Sequence, residues 1–222
     1  PGPIVRCNTH EVPAGVDYRD AALIEPLACV LRALEATRVQ VDDTLAVVGL
    51  GPIGLMFVRL AKLKGARVIA VGRRQTQLDR AERMGADELV LTEPGADPVT
   101  AVRRLTGGSR GADIVIEAVG APETWQAAVE MVRSGGIVNL FGGCPSESSI
   151  SVDTSQIHYS EITLQSSFHH TPTHILKALD VICQKQLQSS DFVIDEAPLA
   201  DLLRVFRQMM SHNGHLKTAI LP

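Results

Sequence analysis

The sequence predicts an α/β fold built on a doubly wound parallel sheet with helices on both faces. Short runs rich in β-branched residues alternate with segments of helical periodicity along the 222-residue chain, as in consecutive strand–helix–strand units. Glycines follow the first, second, fourth and fifth predicted strands, which indicates that the backbone there approaches another group closely. Open α/β folds bind their ligands at the edge formed by the carboxyl ends of the strands.

The composition is that of a globular protein with a large core, since 45% of the residues are hydrophobic. The net charge is -4 and the basic residues are scattered, which argues against nucleic acid as a partner. No apolar run has the length of a membrane span, and no signal peptide is visible. The chain begins at Pro1 without an initiator methionine, so we expect it to be a piece of a longer protein.

The four cysteines predict neither disulfides nor structural zinc. Cys7, Cys29, Cys144 and Cys183 lie far apart and form no C-x-x-C pair. We therefore expect reduced thiols and a cytoplasmic protein.

The chain enters its first predicted strand through a loop and a helix. Residues 1–20 are rich in proline, glycine and aspartate and predict a strand or loop. A helix is predicted over 21–37, capped by Asp20 or a neighbour, with a proline near its start where proline is tolerated. The pair Asp42-Asp43 predicts a turn into the apolar strand that follows.

That strand ends in the central motif, three glycines spaced G-x-G-x-x-G. Gly49 allows a sharp bend, Gly51 lets a ligand approach bare backbone, and Gly54 lets the following helix lie close to the strand. Pro52 and Ile53 open that helix, whose free N–H groups and partial positive charge suit a pyrophosphate. An ordinary surface turn is the competing interpretation, which the strand–turn–helix setting disfavours.

The end of the second predicted strand, residues 67–71, favours NADP as the dinucleotide. NAD-binding folds usually place an acid there to accept a hydrogen bond from the ribose 2′-hydroxyl. This chain has Gly72 followed by Arg73 and Arg74, which removes the carboxylate and offers guanidinium groups to a 2′-phosphate. NAD remains the alternative, because two arginines that open a helix are also ordinary solvated surface.

Strands and helices continue to alternate through the rest of the chain, with a break near each glycine cluster. The predicted helices cover 75–84, 98–105, 125–132, 174–183 and 199–210, and the predicted strands cover 89–91, 114–118, 137–141, 162–168 and 218–221.

With these segments placed, the chain resembles the zinc-dependent medium-chain alcohol, polyol and threonine dehydrogenases over essentially its whole length. The resemblance is carried by the segments 21–28, 48–54, 84–87, 111–113 and 117–120, in the order in which the family has them. It implies a Rossmann dinucleotide-binding domain over 39–185. Residues 1–38 are then a remnant of a GroES-like catalytic domain with its connecting helix, and 186–222 form a C-terminal helix and strand that return to that domain.

Most of the catalytic domain that the family carries is missing from this chain, including its Cys and Gly-His-Glu zinc ligands. The resemblance makes Glu25 the acid at or near the catalytic zinc, and so the candidate catalytic and metal-binding residue. A helix N-terminal acid favoured by the dipole is the alternative interpretation of Glu25. His10 lies in the connecting segment and is expected to be an ordinary surface residue.

The resemblance also assigns coenzyme contacts beyond the glycine motif. They are Ala118 and Val119 near adenine, Leu140 and Phe141 beside nicotinamide, Ser167, Phe168 and His169 at the carboxamide, and Lys217 at the pyrophosphate.

The function implied is that of an oxidoreductase that transfers hydride between NAD(P) and a secondary alcohol or ketone. In the intact protein zinc would act as a Lewis acid, whereas this chain alone is expected to bind dinucleotide without oxidising alcohols. A non-enzymatic NAD(P)-binding module and a zinc-free quinone-reductase relative are the alternatives. The resemblance further implies a homodimer or homotetramer that pairs through the edge strand 161–168.

Overall fold

The computed structural model describes residues 2–211 and 217–222. Six parallel strands form its main sheet, in the order β3-β2-β1-β4-β5-β6. This sheet confirms the predicted α/β class and the doubly wound arrangement. The strands are β1 (Thr44–Val48), β2 (Arg67–Gly72), β3 (Glu88–Leu91), β4 (Ala112–Glu117), β5 (Val132–Leu140) and β6 (Thr163–Ser166).

Helices cover both faces of this sheet and bury an apolar cluster on each. Helices α3, α4, α5 and α9 contribute buried residues to one cluster, and α6 and α7 to the other. The helices are α1 (Gly2–Asn8), α2 (Tyr18–Ala21), α3 (Ile24–Thr37), α4 (Pro52–Leu63), α5 (Gln75–Arg83), α6 (Pro98–Arg104), α7 (Pro122–Met131), α8 (Thr154–Tyr159), α9 (Pro172–Cys183) and α10 (Leu202–Met210).

The first 37 residues differ from the sequence prediction in two places. The expected strand or loop over 1–20 is correct for the loop over 9–17 and wrong on either side of it, where α1 and α2 lie. Gly2 and Pro3 fall in the first turn of α1, where a helix tolerates both residue types. The single helix expected over 21–37 is broken before Ile24, since Pro26 has no N–H and must lie in a first turn.

A second, two-stranded parallel sheet lies outside the main one. It pairs β7 (Val193–Pro198) with β8 (Lys217–Leu221). The sequence predicted β8 but missed β7, since Asp195 and Glu196 interrupt its apolar pattern. Its partner strand is distant in the chain, so no local pattern indicates the pairing. Within the described residues no helix is long and apolar enough to cross a membrane.

A buried carboxylate, that of Asp113, joins the amino-terminal ends of three strands. It accepts hydrogen bonds from the Thr44 amide (2.8 Å), from Arg133 Nε (2.5 Å) and from Arg110 Nη2 (3.3 Å). Burial opposes ionisation of Asp113, but the hydrogen bonds from Arg133 and Thr44 outweigh it and hold the pKa of Asp113 below its usual value.

The variant Asp113→Asn is expected to lower the free energy of unfolding by about 1.5–3 kcal/mol at pH 7, because hydrogen bonds to a charged acceptor are lost. A depressed pKa in the folded state contributes stability above the unfolded pKa, and that stability is lost as the pH falls through the folded pKa. The difference in the free energy of unfolding between wild type and variant should therefore have its full size above about pH 5 and shrink below about pH 4. Urea unfolding across this range measures it, and a difference of equal size at pH 7 and at low pH would contradict the assignment.

Candidate dinucleotide-binding site

The turn between β1 and α4 has the backbone geometry that the three glycines predict. Gly49 has a φ of 94° and its amide donates to the Val71 carbonyl at 2.9 Å, which joins the bend to β2. A Cβ at Gly54 would lie 1.8 Å from the Gly49 carbonyl oxygen, so α4 begins in direct contact with the turn. A Cβ at Gly51 would have nothing within 4 Å. Gly51 therefore faces open space while Gly54 is packed.

The first turn of α4 begins directly after Gly51, beside this open space. Gly51 is the N-cap, Pro52 is the first residue, and no side chain makes a cap hydrogen bond. Helical geometry gives the amides of Ile53 and Gly54 no partner within the helix. These amides and the positive end of the helix dipole form a site for an anion.

Beside this turn lies a cavity of about 690 Å³ at the carboxyl edge of the sheet, a size usual for small-molecule sites. It is bounded by the ends of β1 and β2, the loop after β4, and the starts of α5, α6 and α7. Among the predicted coenzyme residues, those that line it are Gly49, Gly51, Gly72, Arg73, Arg74, Ala118 and Val119.

At the end of β2 the structure places a buried glycine next to two exposed arginines. Gly72 closes the strand, and Arg73 and Arg74 lead into α5 with their side chains at the surface. No acidic side chain occupies the last position of β2, although Glu123 contributes to the lining farther along the cavity.

The loop after β4 depends on a residue that the sequence analysis did not single out, Glu117. Its side chain is fully buried. Its Oε1 accepts hydrogen bonds from the Val119 amide (2.8 Å), the Gly120 amide (3.0 Å) and Thr124 Oγ1 (2.7 Å). The carboxylate thus holds the backbone that lines the cavity at Ala118 and Val119. An acid directly after the apolar run of residues 114–116 was the available signal, because such a group must find donors when buried.

Close glycine contacts bind this loop to the loops beside it. A Cβ at Gly49 would lie 2.6 Å from Val119 Cγ2, and one at Gly120 would lie 2.4 Å from the Gly143 carbonyl oxygen. A Cβ at Gly142 would lie 2.3 Å from the Gly120 amide nitrogen. The loops after β1, β4 and β5 therefore touch through their backbones.

The residues predicted beside nicotinamide lie outside the lining of this cavity. Leu140 ends β5, and the Phe141 amide donates to the Glu117 carbonyl at 3.0 Å. The Phe141 ring meets the buried Phe57 ring edge to face at 5.1 Å, so it packs against the core.

The turn after β6, which is predicted to contact the carboxamide of the coenzyme, is held by hydrogen bonds from two sides. Asn139 Nδ2 donates to Ser167 Oγ at 3.0 Å, and Arg32 Nη1 of α3 donates to the Phe168 carbonyl at 2.7 Å. The Phe168 side chain is 79% exposed, and His169 has a φ of 65°. The edge strand itself is shorter than the predicted 161–168, since β6 covers only Thr163–Ser166.

Lys217 lies apart from the cavity. It is the first residue of β8, where it pairs with Val193 in the small sheet. The structure does not bring it to the lining of the cavity.

Glu25 lies in the first turn of α3 with its side chain 63% exposed. His170 Nε2 is 3.5 Å from Glu25 Oε1, and the Cys29 thiol lies 3.6 Å from the same oxygen. Burial, and then the charge of Glu25, raises the pKa of Cys29 to about 11. Over residues 2–211 and 217–222 no three or more histidine, cysteine, aspartate or glutamate side chains are placed to hold a metal ion. A zinc ion therefore does not fit the described residues by themselves.

Comparison with known proteins agrees with this geometry. Residues 52–184 match the family described as zinc-binding dehydrogenases. The chain is 31% identical to the sorbitol dehydrogenase of Halalkalibacterium halodurans, over 97% of this chain and 62% of that protein. It is 29% identical to the sorbitol dehydrogenase of Bacillus subtilis, over 95% of this chain and 59% of that protein.

Solved structures show the same fold. A Sinorhizobium meliloti protein named as a zinc-binding dehydrogenase and bound to NADP superposes with a TM-score of 0.88 at 28% identity, over 96% of this chain and 62% of that one. The alcohol dehydrogenase TADH of Thermus sp. ATN1 has a TM-score of 0.87 at 27% identity, over 98% of this chain and 62% of that one. The chain thus spans about three fifths of the length of the relatives it matches.

Proposed function

The chain belongs to the zinc-binding dehydrogenase family, and we propose that it is the coenzyme-binding part of an NADP(H)-dependent oxidoreductase. The observation that carries the proposal is the cavity that joins the open Gly51 backbone to Gly72 and Arg73 at one sheet edge. The proposed domain division is 39–185 for the dinucleotide-binding domain, 1–38 for a remnant of the catalytic domain with its connecting helix, and 186–222 for a helix and strand that return to the catalytic domain.

The residues of this chain bind and orient the coenzyme. The amides of Ile53 and Gly54 donate to the diphosphate, while Gly51 leaves the backbone bare for it. Ala118 and Val119, held by the Glu117 carboxylate, form one wall of the adenosine end. The bound coenzyme supplies hydride transfer at its nicotinamide ring.

We propose NADP over NAD because of the charge at the end of β2. Position 72 has no carboxylate to repel a 2′-phosphate, and the exposed Arg73 and Arg74 beside it line the cavity. A guanidinium group matches a phosphate with two parallel hydrogen bonds. The Sinorhizobium meliloti relative, which has NADP bound, supports this choice.

The test is a titration with NADPH and NADH that follows nucleotide fluorescence. Arg73→Ala is expected to weaken NADPH binding by about 1.5–3 kcal/mol, roughly 10- to 150-fold. The affinity for NADH should stay nearly unchanged, because only the 2′-phosphate loses a charged hydrogen bond. The matched control is Arg83→Ala, an exposed arginine at the end of α5 that lies outside the cavity lining. Wild-type protein that binds NADH as tightly as NADPH would overturn the phosphate assignment.

The substrate is proposed to be a secondary alcohol or ketone, with polyols as the class named for the sorbitol dehydrogenase relatives. Zinc is proposed for the complete protein, with Glu25 at or near it and the other ligands outside this chain. The 222-residue chain with added zinc is expected to bind NADPH without turning over alcohols, and robust turnover would contradict the proposed division of labour.

The proposed assembly is a homodimer or homotetramer that pairs through the segment 161–168. Its support is the position of β6 at the edge of the main sheet, where its outer side has no neighbouring strand within the described residues. The proposed compartment is the cytoplasm. Cys29, Cys144 and Cys183 are free thiols, as a reducing compartment requires, and the Cys7 side chain lies outside the described part.

A further inference from the structure

Gly72 contacts a side chain of the glycine-rich turn, Leu50. A Cβ at Gly72 would lie 2.8 Å from Leu50 Cδ1, 3.2 Å from its Cγ and 3.6 Å from its Cβ. The Leu50 side chain therefore occupies the space that the first atom of any side chain at position 72 would need. Both residues line the cavity, so this contact lies within the proposed coenzyme site.

The backbone at position 72 does not itself require glycine. Gly72 is the last residue of β2, and its φ lies outside the positive range in which glycine is favoured. Other glycines of the site differ in this respect, since Gly49 has a φ of 94° and Gly120 a φ of 83°. Leu50 is thus the feature that excludes a side chain at position 72.

Leu50 has little freedom to move aside. It is 2% exposed and belongs to the buried apolar cluster beneath α4. The backbone on each side of it is fixed, because the Gly49 amide donates to Val71 and the Gly51 carbonyl accepts from Leu55. Displacing the side chain would overpack this cluster or expose apolar carbon to water.

We propose that Leu50 prevents a side chain at position 72 from switching the coenzyme site to NAD, an inference that rests on the proposed NADP function. Leu50 excludes the carboxylate that would accept a hydrogen bond from the ribose 2′-hydroxyl of NAD at the end of β2. Arg73 then supplies the cation for a 2′-phosphate. Arg73 thus gives the site its proposed preference for NADP, and Leu50 keeps an acid at position 72 from reversing that preference.

The test compares wild type, Leu50→Ala, Gly72→Asp and the double variant, with NADPH and NADH dissociation constants measured for each. Leu50→Ala is the reference for the double variant, because it removes the Leu50 side chain and keeps Gly72 and Arg73. Gly72→Asp alone is expected to lose affinity for NADPH without gaining affinity for NADH, because Leu50 forces the new side chain out of place. In the double variant the acid fits, and preference should shift toward NADH by about tenfold or more relative to Leu50→Ala.

A stability measurement isolates the contact from coenzyme binding. Gly72→Ala, which adds only the Cβ, is expected to lower Tm when Leu50 is present and to have little effect in the Leu50→Ala background. The control is Gly107→Ala, because a Cβ there has nothing within 4 Å.

Two results would overturn the role of Leu50. One is a Gly72→Asp protein that binds NADH as well as the double variant does. The other is a Gly72→Ala penalty that is the same with and without Leu50. Wild-type protein that binds neither coenzyme is a different result, which would overturn the proposed function together with this inference.

Discussion

Replacing Gly51 with aspartate is expected to abolish NADPH binding without destabilising the protein. Gly51 is the N-cap of α4, has a φ of -68°, and has open space where a Cβ would lie. Aspartate is a favoured N-cap residue, so the free energy of unfolding should stay within about 0.5 kcal/mol of wild type or rise slightly. Its carboxylate would occupy the amides proposed for the diphosphate and repel that group.

The expected loss of affinity is at least about two orders of magnitude, since each hydrogen bond to a charged group is worth about 1.5–3 kcal/mol. Fluorescence titration gives the affinity, and denaturant unfolding gives the stability. Gly51→Asn is the matched control, because asparagine has nearly the size of aspartate and caps the helix without a charge. The difference in NADPH affinity between the two variants measures the repulsion between the carboxylate and the diphosphate. Retention of wild-type affinity by Gly51→Asp would remove the diphosphate from this turn.

The second large effect is expected at Gly54, where alanine should prevent normal folding although it is a better helix former than glycine. Its Cβ would lie 1.8 Å from the Gly49 carbonyl oxygen and 2.9 Å from the Gly49 carbonyl carbon. Both atoms are backbone, so relief requires α4 to move away from β1. We expect a loss of about 3 kcal/mol or more, beyond the usual range for overpacking.

Denaturant unfolding, or the soluble yield where no folded protein is recovered, measures this loss. Gly107→Ala serves as control, since it makes the same chemical change in open space. A Gly54→Ala protein with wild-type stability would show that α4 and the turn are farther apart than described. Gly51→Asp and Gly54→Ala therefore separate a glycine proposed to serve the ligand from one that serves packing.

Local sequence patterns were sufficient for the sheet and for the turn between β1 and α4. The central strands β1 and β2 are nearly continuous apolar runs, because both of their faces are buried. The spacing of Gly49, Gly51 and Gly54 is informative because each position meets a separate steric demand within a few residues.

Features that join distant parts of the chain were not accessible from local patterns. The β7–β8 pairing joins segments on either side of α10, and the bond from Arg32 to the Phe168 carbonyl spans 136 residues. The donors around Glu117 and the contact between Leu50 and Gly72 likewise depend on the tertiary fold. Lys217, to which the resemblance assigned a pyrophosphate contact, begins β8 outside the cavity lining, and that contact stays a prediction.

The backbone contacts among the loops after β1, β4 and β5 leave these loops little freedom to move. Gly49, Gly120 and Gly142 each lack the space for even a methyl group, so no one loop can shift inward without pushing another. These loops are therefore already preorganised when a nucleotide enters the cavity, and their backbone loses little conformational entropy on binding. Adjustment to the ligand falls instead to the rim of the cavity, where the Arg73 side chain is exposed.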